Sequence, residues 1–247
     1  MKNYSYYRAM ARESLSGRWT GAVLATLLTF VLQISASFCS SLFTNPKMMT
    51  LTGISFSASQ SVILAICVLF LILLVVQPLS FAYTYSFLRL RRTEYSIWTC
   101  MKVSYGKAIL APILYGVIIV VAAFLGSLVM GLIALIFRNS VTLTVIMMGL
   151  MFIPFIIYMG YVFYSFLFYP MFVVDNADKS LYDSFVLCYR MIKGERMNLF
   201  LLDISFIGWY LLNIPTLGLA TLCVRPYHYA ARAAFYEDLI AKNKNEI

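Results

Sequence analysis

The stretch FLLDISFIGWYLL, residues Phe200 to Leu212, is apolar enough to sit in hydrocarbon, yet its fourth residue is a carboxylate, Asp203. A charge at the bilayer centre costs at least about 2.5–3.5 kcal/mol on insertion scales, so this side chain is expected to turn away from lipid and toward an opposite charge. The next apolar run offers three candidates. Arg225, His228 and Arg232 are spaced by three and four residues, which puts them on one stripe of a helix. If the run around Asp203 begins near Leu199 on the cytoplasmic side, Asp203 lies roughly 6 Å deep at a rise of 1.5 Å per residue. A returning helix then brings Arg232 closest to its level and leaves Arg225 nearest the midplane. Two uses follow from this geometry. Asp203 pairs with Arg232 or His228 and sets the register of the last two helices, or the four residues line a cytoplasm-facing pocket for an anionic headgroup or a coupling proton.

The rest of the chain supports a membrane setting. Of its 247 residues, 62% are hydrophobic and 12% charged, against roughly half and a quarter in soluble domains. A helix needs about 20 apolar residues to cross the hydrocarbon core, and six runs qualify: Trp19 to Phe43, Ser61 to Leu88, Ile109 to Phe137, Val141 to Val174, Leu199 to Asn213 and Thr216 to Leu239. The fifth is short and the sixth contains Arg225, so a re-entrant hairpin is the alternative there. The opening residues, MKNYSYYRAMARESLSGR, have neither an apolar core nor a small-residue cleavage site, so they are expected to be retained.

The net charge of +9 is carried between the apolar runs and not on a basic face with base-stacking or groove-reading elements, which argues against nucleic acid. Sixteen Lys and Arg fall on one side of the expected arrangement, only Lys47 and Arg138 on the other, and Arg225 inside. Short loops rich in Lys and Arg stay in the cytoplasm, so both termini are expected there, against anionic lipid headgroups. The cysteines, Cys39, Cys67, Cys100, Cys188 and Cys223, form no CxxC pair and read as free thiols.

Three segments echo one another: RESLSGRW (12–19), KVSYGKAI (102–109) and RMIKGERM (190–197). Their glycines, Gly17, Gly106 and Gly194, are 89 and 88 residues apart, and each precedes an apolar run. Before each lies an amphipathic stripe: Tyr4, Tyr7, Ala11 and Leu15; Ile97, Met101 and Tyr105; Leu181, Phe185, Cys188 and Ile192. The expected unit is an interfacial helix in the headgroup layer, a glycine bend and a two-helix hairpin, repeated over about 1–88, 89–176 and 177–247. PLSFAYTYSF from Pro78 and PYHYAARAAF from Pro226 add a second echo. The fold class expected is therefore an all-α membrane protein, one polytopic domain over 1–247, with six transmembrane helices and three cytoplasmic interfacial helices. Aromatics at the cytoplasmic ends of the even runs (Phe81, Tyr83, Tyr85 and Phe87; Tyr164, Phe166, Phe168 and Tyr169; Tyr227, Tyr229, Phe235 and Tyr236) read as an interfacial belt.

No HExxH, GxSxG or Walker-type loop occurs, and one histidine cannot build a multi-histidine metal site, so no enzyme activity, metal or cofactor is expected. In DNADKSLYD the acidic spacing does not fit a calcium loop, and Asp178 or Ser180 reads as a helix cap. Function then divides between a lipid- or partner-binding scaffold or regulator of an envelope process and a transporter or exporter of a small anionic or lipid-like substrate through Asp203 and Arg225.

The C-terminal run SFVLCYRMIKGERMNLFLLDISFIGWYLLNIPTLGLATLCVRPYHYAARAAFYEDL closely resembles the signature of a bacterial integral membrane family, domain of unknown function 975. The matching positions are Ser184, Met191, Gly194, Ser205 to Trp209, Thr216 with Gly218, Pro226 with Tyr227, and Phe235 with Tyr236. The chain also looks like the membrane portion of some glycerophosphodiester phosphodiesterases, without their catalytic domain. The resemblance implies a polytopic bacterial membrane protein and brings no catalytic residues. Cysteines introduced at Ser57 and Ser180 test the expected topology: in intact cells an impermeant thiol reagent should label position 57 and leave position 180 unlabelled.

Overall fold

In a computed structural model of the chain, the described residues are 3–44, 60, 63, 66, 67, 70, 72–92, 105–137, 139–176 and 178–243, and all their regular structure is helical. The helices are α1 (Tyr4–Leu15), α2 (Trp19–Thr44), α3 (Gln77–Arg92, entered through a π-helical turn at Ile72–Val76), α4 (Tyr105–Ile136) and α5 (Val141–Phe166), followed by α6 (Tyr169–Asp175), α7 (Leu181–Ile192), α8 (Arg196–Ile204), α9 (Ile207–Leu211) and α10 (Thr221–Lys242). Three stretches are long and apolar enough to cross a membrane, Trp19–Cys39, Gly106–Ile136 and Thr142–Asp175. Along α4 and α5 the apolar side chains point outward, with Val120 68%, Ile136 71% and Ile157 67% exposed. Side chains of this kind need an apolar solvent around them.

The buried core gathers at one end of the bundle, around the second half of α10. There Ala230, Ala231, Ala233 and Ala234 are all buried, and their small size lets neighbouring helices approach closely. Onto this surface pack Tyr7, Ala11 and Leu15 of α1, Phe87 and Leu88 of α3, Phe172 of α6 and Met191 of α7. Polar ties fasten the same layer. The Tyr7 hydroxyl donates to Asp238 Oδ2 at 2.7 Å, Tyr236 donates to Asp175 at 3.0 Å, and Lys242 pairs with Glu195. Burial works against the Glu195 charge, but the Lys242 and Asn198 donors outweigh it and hold this carboxyl below the usual carboxylate range.

Two expectations are corrected by this packing. The apolar faces of α1 and α7 are covered by protein and not left open to lipid. Ala11, Leu15, Cys188 and Ile192 are each fully buried in protein, and Tyr4, expected on the same stripe, is exposed. Nor do the aromatics form an outward belt: Phe81, Tyr83, Tyr85, Phe87, Phe168, Tyr227, Phe235 and Tyr236 are buried, and Tyr164, Phe166, Tyr169 and Tyr229 are half-buried. Tyr83 meets Phe87 and Tyr229 edge-on, at 5.0 and 5.2 Å between ring centroids. The physical reason is common to both. These stripes belong to elements far apart in the chain that cover one another, so protein takes the place of lipid.

The fifth run also differs from a single helix over Leu199 to Asn213. Its ladder breaks between α8 and α9 at Ser205 and Phe206, where the Ser205 hydroxyl donates to the Leu202 carbonyl at 2.6 Å and the Ser205 N–H is shared between Leu201 and Leu202. A hydroxyl competing for the i−3 carbonyl tightens a helix locally. Turns continue from Leu212 to Ala220, with Leu217 at φ 50° and Gly218 at φ 90°.

The glycine echo is structural at two of its three positions. Ser16 has φ −58° and ψ 127° and is followed by Gly17 at φ 73°. Lys193 has φ −59° and ψ 124° and is followed by Gly194 at φ 88°. Each is a type II turn closed by a backbone bond, Arg18 N–H to the Leu15 carbonyl at 2.9 Å and Glu195 N–H to the Ile192 carbonyl at 3.0 Å. Gly106 departs from the expected bend, since it lies in the first turn of α4. The amphipathic stripe before it, with Ile97 and Met101, falls outside the described residues, as do Lys47, Arg138 and Cys100. Ser180, not Asp178, caps α7 by accepting the Asp183 N–H at 3.1 Å.

A built Cβ meets nothing within 4 Å at either Gly17 or Gly194, so the cost of a side chain there is purely conformational. Gly17→Ala and Gly194→Ala should each destabilise by about 1–2 kcal/mol, while Gly106→Ala, within a helix, should not. Thermal melts of the three purified variants check the contrast.

Candidate functional site

Asp203 projects from the last turn of α8 into a set of donors from two other elements, α5 and α10. Its Oδ1 accepts from His228 Nε2 at 2.7 Å and Arg232 Nε at 3.0 Å, and its Oδ2 accepts from Arg232 Nη2 at 2.6 Å and the Tyr164 hydroxyl at 3.1 Å. Both oxygens are thus doubly occupied. The side chains are largely withdrawn from solvent, with relative exposures of 12% for Asp203, 15% for Arg232 and 8% for His228. The fork of Arg232 grips the carboxylate through two parallel bonds, the strong form of this pair.

His228 is held on every side. Its Nδ1 lies 3.0 Å from the Tyr210 hydroxyl, and its ring stacks on Phe206 at 4.5 Å between centroids. The partners assign the tautomer. Nε2 carries the proton toward Asp203, and Nδ1 shares a hydrogen bond with the Tyr210 hydroxyl. Phe206 sits at the break between α8 and α9, so the interruption of the ladder places this ring over the histidine.

The sequence stripe Arg225, His228 and Arg232 is one face of α10, but depth separates its members. Arg225 Nη1 donates to Gln33 of α2 at 3.2 Å, and its guanidinium lies over the rings of Tyr83 and Tyr229 at 5.5 and 5.9 Å. It does not reach Asp203: seven residues separate it from Arg232, roughly 10 Å of rise along the helix. Of the four residues singled out, Asp203, His228 and Arg232 converge and Arg225 stands apart. The glycines Gly17, Gly106 and Gly194 take no part in the cluster. Tyr164, Tyr210 and Gln33 were not foreseen as partners. Tyr210 carried a usable signal, because it follows Asp203 by seven residues and so returns to the same helical side.

Chemically the cluster is a closed hydrogen-bond chain, Tyr210 to His228 to Asp203, with Arg232 and Tyr164 completing the carboxylate. Among the described residues no three His, Cys, Asp or Glu side chains converge as a metal site. Cys188 is buried in the core, where burial pushes its thiol up and away from the reactive thiolate.

The chain belongs to the family described as Protein of unknown function (DUF975), which it matches over residues 1–243. No curated protein and no solved structure matches it, and the likeness to glycerophosphodiester phosphodiesterases gains no support from these comparisons.

Removing one member of a buried, hydrogen-bonded ion pair leaves the other charge uncompensated, at a cost of about 3–5 kcal/mol. Asp203→Asn should lose stability on that scale, whereas Tyr210→Phe, which deletes one neutral hydrogen bond, should lose about 1 kcal/mol. The Asp203→Asn/Arg232→Gln double variant should be less destabilised than the sum of its singles, read from thermal melts in detergent.

Proposed function

With membership of a family that has no assigned activity as the premise, we propose that this chain is a non-enzymatic, multi-pass protein of the bacterial cell membrane. It acts as a lipid- or partner-binding scaffold or regulator of an envelope process. In this reading six segments enter the membrane, both termini are cytoplasmic, and the units 1–88, 89–176 and 177–247 are tandem repeats. The sixteen-to-two division of Lys and Arg supports the orientation. The twin type II turns at Gly17 and Gly194, each following a helix of 12 residues, support the kinship of the first and third units.

The observation that carries the non-enzymatic reading is the saturation of Asp203. Four donors occupy its two oxygens, and His228 is engaged through both ring nitrogens. A group that shuttles protons or releases a substrate needs a free valence or an exchangeable partner, and this cluster offers a lock between α5, α8, α9 and α10 instead. The exposed apolar surface of α4 and α5 supplies the lipid contact, and the basic loops supply attraction to anionic headgroups.

Expression and melting of Asp203→Asn and Arg225→Gln separate this reading from transport of an anionic or lipid-like substrate. The lock predicts that yield and melting temperature fall together for Asp203→Asn, and that wild-type protein purifies with anionic lipid. Unchanged yield and melting temperature in both variants, with loss of a transport or resistance phenotype in cells, would overturn it.

A further inference from the structure

A cavity of about 230 Å³ adjoins the other side of the locked cluster, bounded by Thr84 of α3, Tyr115 of α4, Phe163 of α5, Tyr169 of α6, and Tyr229 and Arg232 of α10. Three of these side chains are phenols whose hydroxyls have no hydrogen-bond partner among the described residues and are not sealed from space. Tyr115 and Tyr169 stack at 4.9 Å between centroids, which sets their rings side by side in the wall. Arg232, which lines the same cavity, spends Nε and Nη2 on Asp203, and its Nη1 has no hydrogen-bond partner among the described residues.

The local charge is also unbalanced. Two guanidiniums lie over the ring of Tyr229, Arg232 at 5.8 Å and Arg225 at 5.9 Å, and one carboxylate, Asp203, answers them. Among the described residues the two guanidiniums therefore outnumber the carboxylates here by one positive charge, even with His228 uncounted. Arg225 itself meets an amide and two rings, and no carboxylate lies within ion-pair distance of it among the described residues. Uncompensated charge at this depth is costly, and an anion entering the cavity relieves it. A guanidinium and three phenols lining one space suit an acceptor-only group with several oxygens, which is the chemistry of phosphate.

The volume is below the ~300–1,000 Å³ of pockets that enclose drug-sized ligands, so it fits a headgroup-sized anion and not a whole lipid. A separate apolar crevice of about 260 Å³ lies farther along α4 and α5, lined by Leu125, Gly126, Met130, Pro154 and Phe155 among others. Gly126 is eleven residues beyond Tyr115, three helical turns, and thus on the same side of α4 roughly 16 Å farther along. A Cβ at Gly126 would fall 2.4 Å from the Phe155 ring, so glycine is what lets that ring settle into the crevice wall. Phe163, in the cavity wall, is itself exposed on the outside of α5.

We propose that the Arg232 cavity binds a phosphate group, presented by an anionic phospholipid whose acyl chain follows the α4–α5 crevice. This rests on the lipid-binding reading above and names its site. Arg232, Tyr115, Tyr169 and Tyr229 hold the phosphate, and Asp203 positions Arg232 for it.

The test uses the full chain in detergent, with melting temperature recorded against added phosphatidylglycerol, phosphatidylcholine or inorganic phosphate. The Tyr115→Phe/Tyr229→Phe variant removes two hydroxyls that make no hydrogen bond among the described residues, and each protein's response is read relative to its own unliganded melt. Phosphatidylglycerol should raise the wild-type melting temperature by several degrees where phosphatidylcholine does not, and the variant should need at least tenfold more for half the shift. Equal responses of wild type and variant to phosphatidylglycerol would overturn the site while leaving lipid binding intact. A wild type indifferent to all three additives would overturn both readings. Stabilisation by inorganic phosphate alone, lost in the variant, would uphold the phosphate site and overturn the lipid as its source.

Discussion

A carboxylate withdrawn from solvent has to be neutralised within reach of its own side chain, and that requirement organises the C-terminal third of this protein. Asp203 recruits Arg232 and His228 from α10 and Tyr164 from α5, three contributions that fix the rotation and depth of two helices relative to a third. Hydrophobic contact could not do this alone, because packing among apolar helices in lipid has little directional preference. The bond geometry at a carboxylate does. Tyr210 and Phe206 then hold the imidazole from the far side, so the break in the α8–α9 ladder becomes part of the lock.

Around that lock the protein builds two regions with different solvents. The layer on α10's second half is dry and densely aromatic, with Phe87, Phe168, Phe172, Phe235 and Tyr236 all fully buried. The helices α4 and α5 rise beyond it with their apolar side chains open. The contrast explains how the chain satisfies a bilayer while having a protein-like core: α1, α6 and α7 give the base its packing, and lipid completes the rest. The cavity beside Arg232 falls where the two regions meet, with polar donors on the protein side and apolar helix on the other.

Much of this was legible in the primary structure, because it follows from local rules. Helical spacing placed Arg225, His228 and Arg232 on one face, and the cost of a buried charge demanded a partner for Asp203. The turn glycines announced themselves by their echo, and at Gly17 and Gly194 a left-handed residue is present. Failures came where a stripe could be covered by more than one thing. The apolar faces of α1 and α7 and the aromatics of α3 and α10 have the pattern of interfacial elements, yet protein covers them. Periodicity reports that a face must be hidden from water. It carries no information on whether lipid or another helix hides it.

By itself, then, the amino-acid sequence determined the all-helical class, the membrane setting and the need for an ion pair on Asp203, since each depends on composition or on spacing within one helix. Only the tertiary structure decided which cation answers the carboxylate, that Arg225 turns to Gln33 instead, that Tyr164 and Tyr210 close the network, and that three phenols line one cavity with Arg232. Those are relations between segments tens to hundreds of residues apart, and their physical origin is the depth at which each helix seats against its neighbours, a quantity no local pattern encodes.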